Sequence, residues 1–204
     1  MFKTRLLSGI LLVLIALVTI ISGGDILFAT VLLISLIGMS ELYKVLKVHN
    51  TLLGVVGYAA CIVYYGMIRM GRADMVTLLT IAFLVAIMAV YVFSYPKYRS
   101  EQIMITFFGL FYVAVMLSYV YQTRELTQGA YLVWIIILCS WGCDTCAYCV
   151  GMLIGKHKMA PKLSPKKSIE GGIGGILGAA LLGVIYALAI NQFASGADAN
   201  ALEY

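Results

Sequence analysis

The sequence predicts an all-α, polytopic integral membrane protein with about seven transmembrane helices and a cytoplasmic N-terminus. Three observations carry this. The 204 residues are 63% hydrophobic and only 11% charged, with a mean hydropathy of +1.01, whereas soluble domains are roughly a quarter charged. Apolar runs long enough to cross a bilayer recur along the chain; β-barrel strands would alternate instead. The lysines and arginines fall mostly on one side of the resulting topology.

The predicted spans follow in order. Span one covers Leu6–Ile21, and Lys3 and Arg5 precede it. No A-x-A-like cleavage site closes it, so it reads as a retained helix and not as a signal peptide. Ser22-Gly23-Gly24-Asp25 is a tight turn. Span two covers Ile26–Leu42 and span three Leu52–Ile68, separated by the polar break at His49-Asn50. Span four covers Met75–Phe93 and stops near Pro96. Span five covers Ile103–Tyr121, span six Tyr131–Ile154 and span seven Gly172–Ile190. Tyr43, Tyr95, Tyr119, Tyr121, Tyr131 and Trp134 sit near span ends and fit an interfacial aromatic belt.

With the N-terminus inside, Lys3, Arg5, Lys44, Lys47, Lys97, Arg99, Lys156, Lys158, Lys162, Lys166 and Lys167 lie in the cytoplasm. Only Arg69, Arg72 and Arg124 lie outside, which completes the 14 basic residues. This is the positive-inside bias. The net charge of +5 therefore reflects topology and does not suggest nucleic acid. The five cysteines fall in apolar segments, which argues against a secreted disulfide framework.

One stretch asks for a chemical explanation: Asp144 to Gly175, DTCAYCVGMLIGKHKMAPKLSPKKSIEGGIGG. Asp144 is an acid well inside an apolar span, which costs about 2.5–3.5 kcal/mol even on the gentlest insertion scale. It reads as a metal ligand or phosphate-chemistry carboxylate, or as a helix-pairing residue. The basic run Lys156 to Ser168 reads as a polyphosphate site, with ammonium groups as point charges and hydroxyls as added donors, or as a juxtamembrane segment on anionic lipid. Two prolines fix its backbone, and Ser164 and Ser168 bracket Lys166 and Lys167. Glu170 then stands before a helix start. A magnesium ion (Mg2+) bridging phosphate to Asp144 or Glu170 makes chemical sense, since this ion favours one or two carboxylates plus phosphate oxygens.

Gly171 to Gly178 opens span seven. Its glycines suit an anion site at a helix N-terminus or close helix packing at four-residue spacing. Gly151 to Lys156 falls one residue short of a P-loop and lacks the following Ser/Thr, so that reading is rejected. His157 reads as a loop residue. Cys139, Cys143, Cys146 and Cys149 form a stripe on a helix and read as small packing residues. Glu41 reads either as an interface carboxylate or as facing the site.

These residues resemble the phosphatidate cytidylyltransferases (CDP-diacylglycerol synthases) of bacterial type. The match runs through Asp144-Thr145-x-Ala147-Tyr148-x-x-Gly151 and Gly155-Lys156-His157-Lys158. It continues through Pro161-Lys162-x-Ser164-Pro165-Lys166-Lys167-Ser168-x-Glu170-Gly171 and Gly174-Gly175. Ser168 stands where the family often has Thr, and Glu41-Leu42-Tyr43 also looks like the family's N-terminal half.

The resemblance implies one transmembrane domain over 1–204. The N-terminal helices would occupy 1–130, the active-site helix, basic cytoplasmic loop and following helix 131–192, and a polar tail 193–204. It implies transfer of a cytidylyl group from CTP to phosphatidate in the bacterial cell (inner) membrane. Asp144, Lys166 and Lys167 would be catalytic. Lys156, Lys162, Ser164, Ser168, Glu170 and Gly171 would bind substrate, and Asp144 and Glu170 would hold Mg2+. Nothing between Ile190 and Tyr204 resembles the family's second motif, broadly S-x-x-K-R, K-D, P-G-H-G-G and D-R-x-D. The expectation is therefore a fragment, a frameshifted product, half of a split enzyme or a degenerate paralogue, and either a homodimer or an association with a partner chain that supplies that motif. The alternatives are a CTP-dependent polyprenol or phytol kinase, and a non-catalytic membrane protein that binds anionic lipid or a partner helix.

Overall fold

The computed structural model describes residues 2–201, with side chains over 9–192 apart from Ala73. The side chains of Lys3, Arg5 and the polar tail 193–204 lie outside the described residues. The chain forms two compact units, Met1–Thr127 and Gln128–Tyr204.

The first unit holds α1 (Phe2–Ser22), α2 (Gly24–Val45), α3 (Leu52–Arg69), a 3-10 turn at Ala73–Met75 and α4 (Val76–Phe93). Then α5 (Ser100–Gly109), a π-helical segment (Leu110–Val115) and α6 (Met116–Arg124) follow one another as a single apolar rod. Gly23 and Gly24 turn α1 into α2 with φ of 62° and 48°, a backbone region that glycine enters without steric cost. Arg124 donates from Nε to the Ile20 carbonyl at 3.1 Å, satisfying an acceptor that the end of α1 leaves open. Arg69 pairs with Asp25.

The core of this unit is a set of buried tyrosines. Tyr43 lies between Gly57 and Gly109, where a Cβ would strike its ring, and its hydroxyl donates to the Thr106 carbonyl at 2.8 Å. Tyr65 donates to the Ala114 carbonyl at 3.2 Å and receives Ser35 at 2.7 Å. Tyr64 meets Ser118 at 2.9 Å. A π segment disturbs the regular backbone ladder; here Tyr65 and Ser118, which bonds the Val115 carbonyl at 2.7 Å, take up its acceptors. In lipid such groups have no water to turn to. Tyr43 and Tyr121 are thus core residues, 0% and 3% exposed, and not members of an interfacial belt. Gly57 and Gly109 on neighbouring helices make room for Tyr43. Glu41 pairs with Lys44 at 2.6 Å.

The second unit is α7 (Gly129–Ile154), β1 (Lys158–Ala160), β2 (Ser164–Ser168) and α8 (Ile169–Ala201). The two helices run antiparallel along a seam of small residues. Across it, Gly171 meets Ala147 and Gly151, Gly175 meets Cys143 and Ala147, Gly178 meets Cys146, and Gly183 meets Cys139. Cys139, Cys143 and Cys146 are the packing residues expected of them, while Cys149 is exposed. At the far end, Tyr186 donates to the Tyr131 carbonyl at 2.8 Å.

Among the described residues, six helices are long and apolar enough to cross a membrane, and Gly9–Ser22 adds a shorter apolar helix. The all-α polytopic class holds, with a local departure. The basic run is a two-stranded antiparallel hairpin instead of a plain loop, and the last span begins at Ile169, three residues before the expected Gly172.

Candidate active site

The site is built where α7 gives way to the hairpin. Gly155 ends α7 in extended backbone and is boxed in by the Gly151 carbonyl and Ser168 Oγ, so a side chain there has no room. Lys158 pairs with Ser168 and Ala160 with Ser164. One residue of β1 therefore stands opposite three of β2: Pro165, Lys166 and Lys167. Bulges of this kind push extra residues out of the ladder, and proline, having no N–H, is tolerated at them. The bulge displays Lys166 and Lys167, both exposed. At the tip, Leu163 N–H closes on the Ala160 carbonyl at 3.1 Å, and Pro161 sits second in this turn, where its fixed φ fits. Lys162 is exposed there, as are Lys156 and Lys158.

The hairpin's return joins α8 through a cap. Ser168 is 5% exposed, and its Oγ accepts from Gly171 N–H at 3.2 Å, the usual service of a serine before a helix. The buried Gly171 thus spends its amide on Ser168 and its Cα face on Gly151. Ser164 is half-buried beside Ala160.

Glu170 lies one residue inside α8. Its Oε2 accepts from Lys156 N–H at 3.2 Å, and His157 N–H reaches both oxygens at 3.2 Å. The His157 imidazole Nδ1 lies 2.6 Å from Oε1. Nothing in the spacing of these residues joins them; they are separated by a whole hairpin.

Asp144 stands apart from this cluster. It is exposed on the flank of α7 and makes no hydrogen bond or ion pair among the described residues. Gly151, which packs at the level of Gly171, is seven residues further along α7, so Asp144 lies about 10 Å down the helix axis from the hairpin base. The two expected metal carboxylates are therefore not neighbours, and no group of three or more His, Cys, Asp or Glu side chains gathers among the described residues. What the unit brings together is a raised set of lysines on a fixed hairpin, with an unpaired carboxylate deeper on the same helix pair.

This arrangement meets a family match over nearly the whole chain: residues 3–202 fit the profile of the Cytidylyltransferase family. The chain belongs to the cytidylyltransferase family. As a cytidylyltransferase, it is 31% identical over 180 residues to a protein of Staphylococcus epidermidis named phosphatidate cytidylyltransferase, covering 86% of this chain and 68% of that one. A protein of the same name from Staphylococcus haemolyticus shows the same identity and coverage. One from Staphylococcus aureus is 26% identical over 179 residues, covering 85% and 67%. No solved structure matches the chain. This cytidylyltransferase is a multi-pass membrane protein, and its hairpin carries exposed lysines beyond the end of α7.

Proposed function

We propose that the chain transfers the cytidylyl group of CTP to phosphatidate, giving CDP-diacylglycerol and pyrophosphate, in the bacterial inner membrane with the hairpin on the cytoplasmic side. Family membership and the names of the relatives support the reaction class. The observation that carries it to particular residues is the bulged hairpin, which exposes Lys162, Lys166 and Lys167, none of them in an ion pair among the described residues.

In the reaction, a phosphatidate phosphate oxygen attacks the α-phosphorus of CTP. The new P–O bond forms as the bond to the β-phosphate bridging oxygen breaks, and that electron pair leaves with pyrophosphate. Two anions must meet, so positioning and charge stabilisation dominate the barrier. Lys166 and Lys167 would hold the β- and γ-phosphates and stabilise the leaving charge, while Lys162 and Lys156 attract the nucleotide to the surface. Ammonium groups suit this task as compact point charges.

Asp144 fits a magnesium ion, because it is a single unengaged carboxylate and this ion takes few protein ligands when phosphate supplies the rest. When bound, magnesium would neutralise phosphate charge and orient the α-phosphate. The seam beneath fixes Asp144 relative to the lysines, so the polyphosphate spans the interval between them. The lipid keeps its acyl chains in the bilayer and presents its headgroup to the hairpin.

The test uses membranes containing the full chain, supplied with CTP, phosphatidate and magnesium, with a Lys166→Ala/Lys167→Ala control. CDP-diacylglycerol formed by the wild type and lost in the control supports the proposal. No product from a chain shown to be inserted overturns it.

A further inference from the structure

We infer that Glu170 is a positioning residue that latches the lysine hairpin to the first turn of α8 through Lys156 and His157, and is not a metal ligand. The inference rests on the functional reading above and gives one of its carboxylates a different task.

Both oxygens of Glu170 are already engaged. Oε1 faces His157 N–H and Nδ1, and Oε2 faces Lys156 N–H and His157 N–H. A carboxylate offers about four lone-pair sites, and three donors face them, one of which, the His157 N–H, is shared between both oxygens. The side chain is 23% exposed although its neighbour His157 is 76% exposed, so the carboxylate is turned inward onto the hairpin base. A cation at this carboxylate would have to displace one of these donors and open the hairpin base.

The hairpin needs such a latch. Two strands alone are marginally stable in water, and this pair is weakened by a bulge and a proline. At Gly155 the chain leaves the α-helix, so the helical ladder does not hold the strands. Three ties close the base: Ile169 N–H to the His157 carbonyl at 2.9 Å, the Ser168 cap, and the Glu170 carboxylate across two successive amides and an imidazole. Of these, only Glu170 reaches back to residue 156, ahead of the first strand pair. Amides held by an anion also bind more strongly than neutral pairs. Freeing them would let the lysines wander and raise the cost of gathering them around a polyphosphate.

The experiment compares Glu170→Ala with Glu170→Gln in the full chain. Glutamine keeps the length and an acceptor for the two amides, and its NH2 can face His157 Nδ1. It cannot replace a carboxylate on magnesium. The first readout is trypsin cleavage at Lys162 in the detergent-solubilised protein, which requires no activity. Glu170→Ala should be cut faster than wild type, and Glu170→Gln at close to the wild-type rate. The second is kinetic: Glu170→Ala should raise the KM for CTP by roughly tenfold or more, with a smaller change in kcat and an unchanged magnesium requirement. Glu170→Gln should recover most of the loss.

Equal cleavage of wild type and Glu170→Ala overturns the latch. So does a Glu170→Gln enzyme as impaired as Glu170→Ala with a raised magnesium requirement. If the wild type makes no CDP-diacylglycerol, the functional reading falls by itself, and the cleavage comparison still decides the latch.

Discussion

Gly175 faces the carbonyl of Cys143 so closely that a Cβ added to it would lie 2.9 Å from that oxygen. A backbone atom cannot step aside as the end of a side chain can. Gly175→Ala should therefore push α8 away from α7 and lower stability by about 1–3 kcal/mol, the usual cost of overpacking. Gly183→Ala is the internal comparison, because its Cβ would meet Cys139 Sγ at an ordinary 3.4 Å. Thermal unfolding in detergent should show a clear drop for the first and little for the second. Equal behaviour would mean that the seam is loose.

Asp144 has no partner among the described residues, so replacing it should not break a native contact. Asp144→Asn is expected to insert and fold at least as well as wild type, since an unpaired acid in a span costs about 2.5–3.5 kcal/mol. Turnover should nevertheless fall by about 10²–10³, the scale of losing one charge-stabilising group. Measuring activity across magnesium concentrations beside the melting temperature separates these effects. An active Asp144→Asn protein would remove this residue from the chemistry.

The lysines of the bulge should act through charge more than through shape. Lys167→Ala and Lys166→Ala should each weaken CTP use, and the wild-type KM for CTP should rise with salt, because exposed charges are screened over about 8–10 Å. The double variant should lose most of that salt dependence. Membrane insertion, followed by fractionation, should not change. A salt-insensitive wild type would argue that the hairpin does not meet the nucleotide.

Tyr65 is the hydroxyl on which Ser35 and the Ala114 carbonyl converge. Tyr65→Phe leaves both buried groups short of a partner and should cost about 1–3 kcal/mol. Ser168→Ala removes the cap of α8 and should cost about 1 kcal/mol. Unfolding midpoints of the two variants give the comparison. A neutral Tyr65→Phe would mean that the π segment finds its own partners.

The spans were legible because length and apolarity are local properties: each predicted segment contains a helix. The cysteine stripe was legible too, since three-residue spacing puts Cys143 and Cys146 on one helical face. Tyr43 was misplaced because a tyrosine near a span end looks alike in a belt and in a core. Gly57 and Gly109, on other helices, decide the matter, and neither is near Tyr43 in sequence. The π segment has no residue signature. In the site, the lysines and Asp144 were legible from charge in an unusual place. The hairpin was hidden because Pro165 and the unequal strand lengths break any alternation. The tie from Glu170 to His157 was hidden because their meeting depends on the whole hairpin folding back.

The glycine and cysteine seam repeats its contact at nearly every turn, from Gly171 against Ala147 to Gly183 against Cys139. Helices meshed in this way cannot slip past each other by a single residue without driving a Cα into a carbonyl or a sulfur. The helix pair therefore behaves as a ruler whose upper mark is the lysine hairpin and whose lower mark is Asp144. Its graduation is set by the chain and not by what binds. Whatever molecule touches both marks must itself reach across the roughly 10 Å between them.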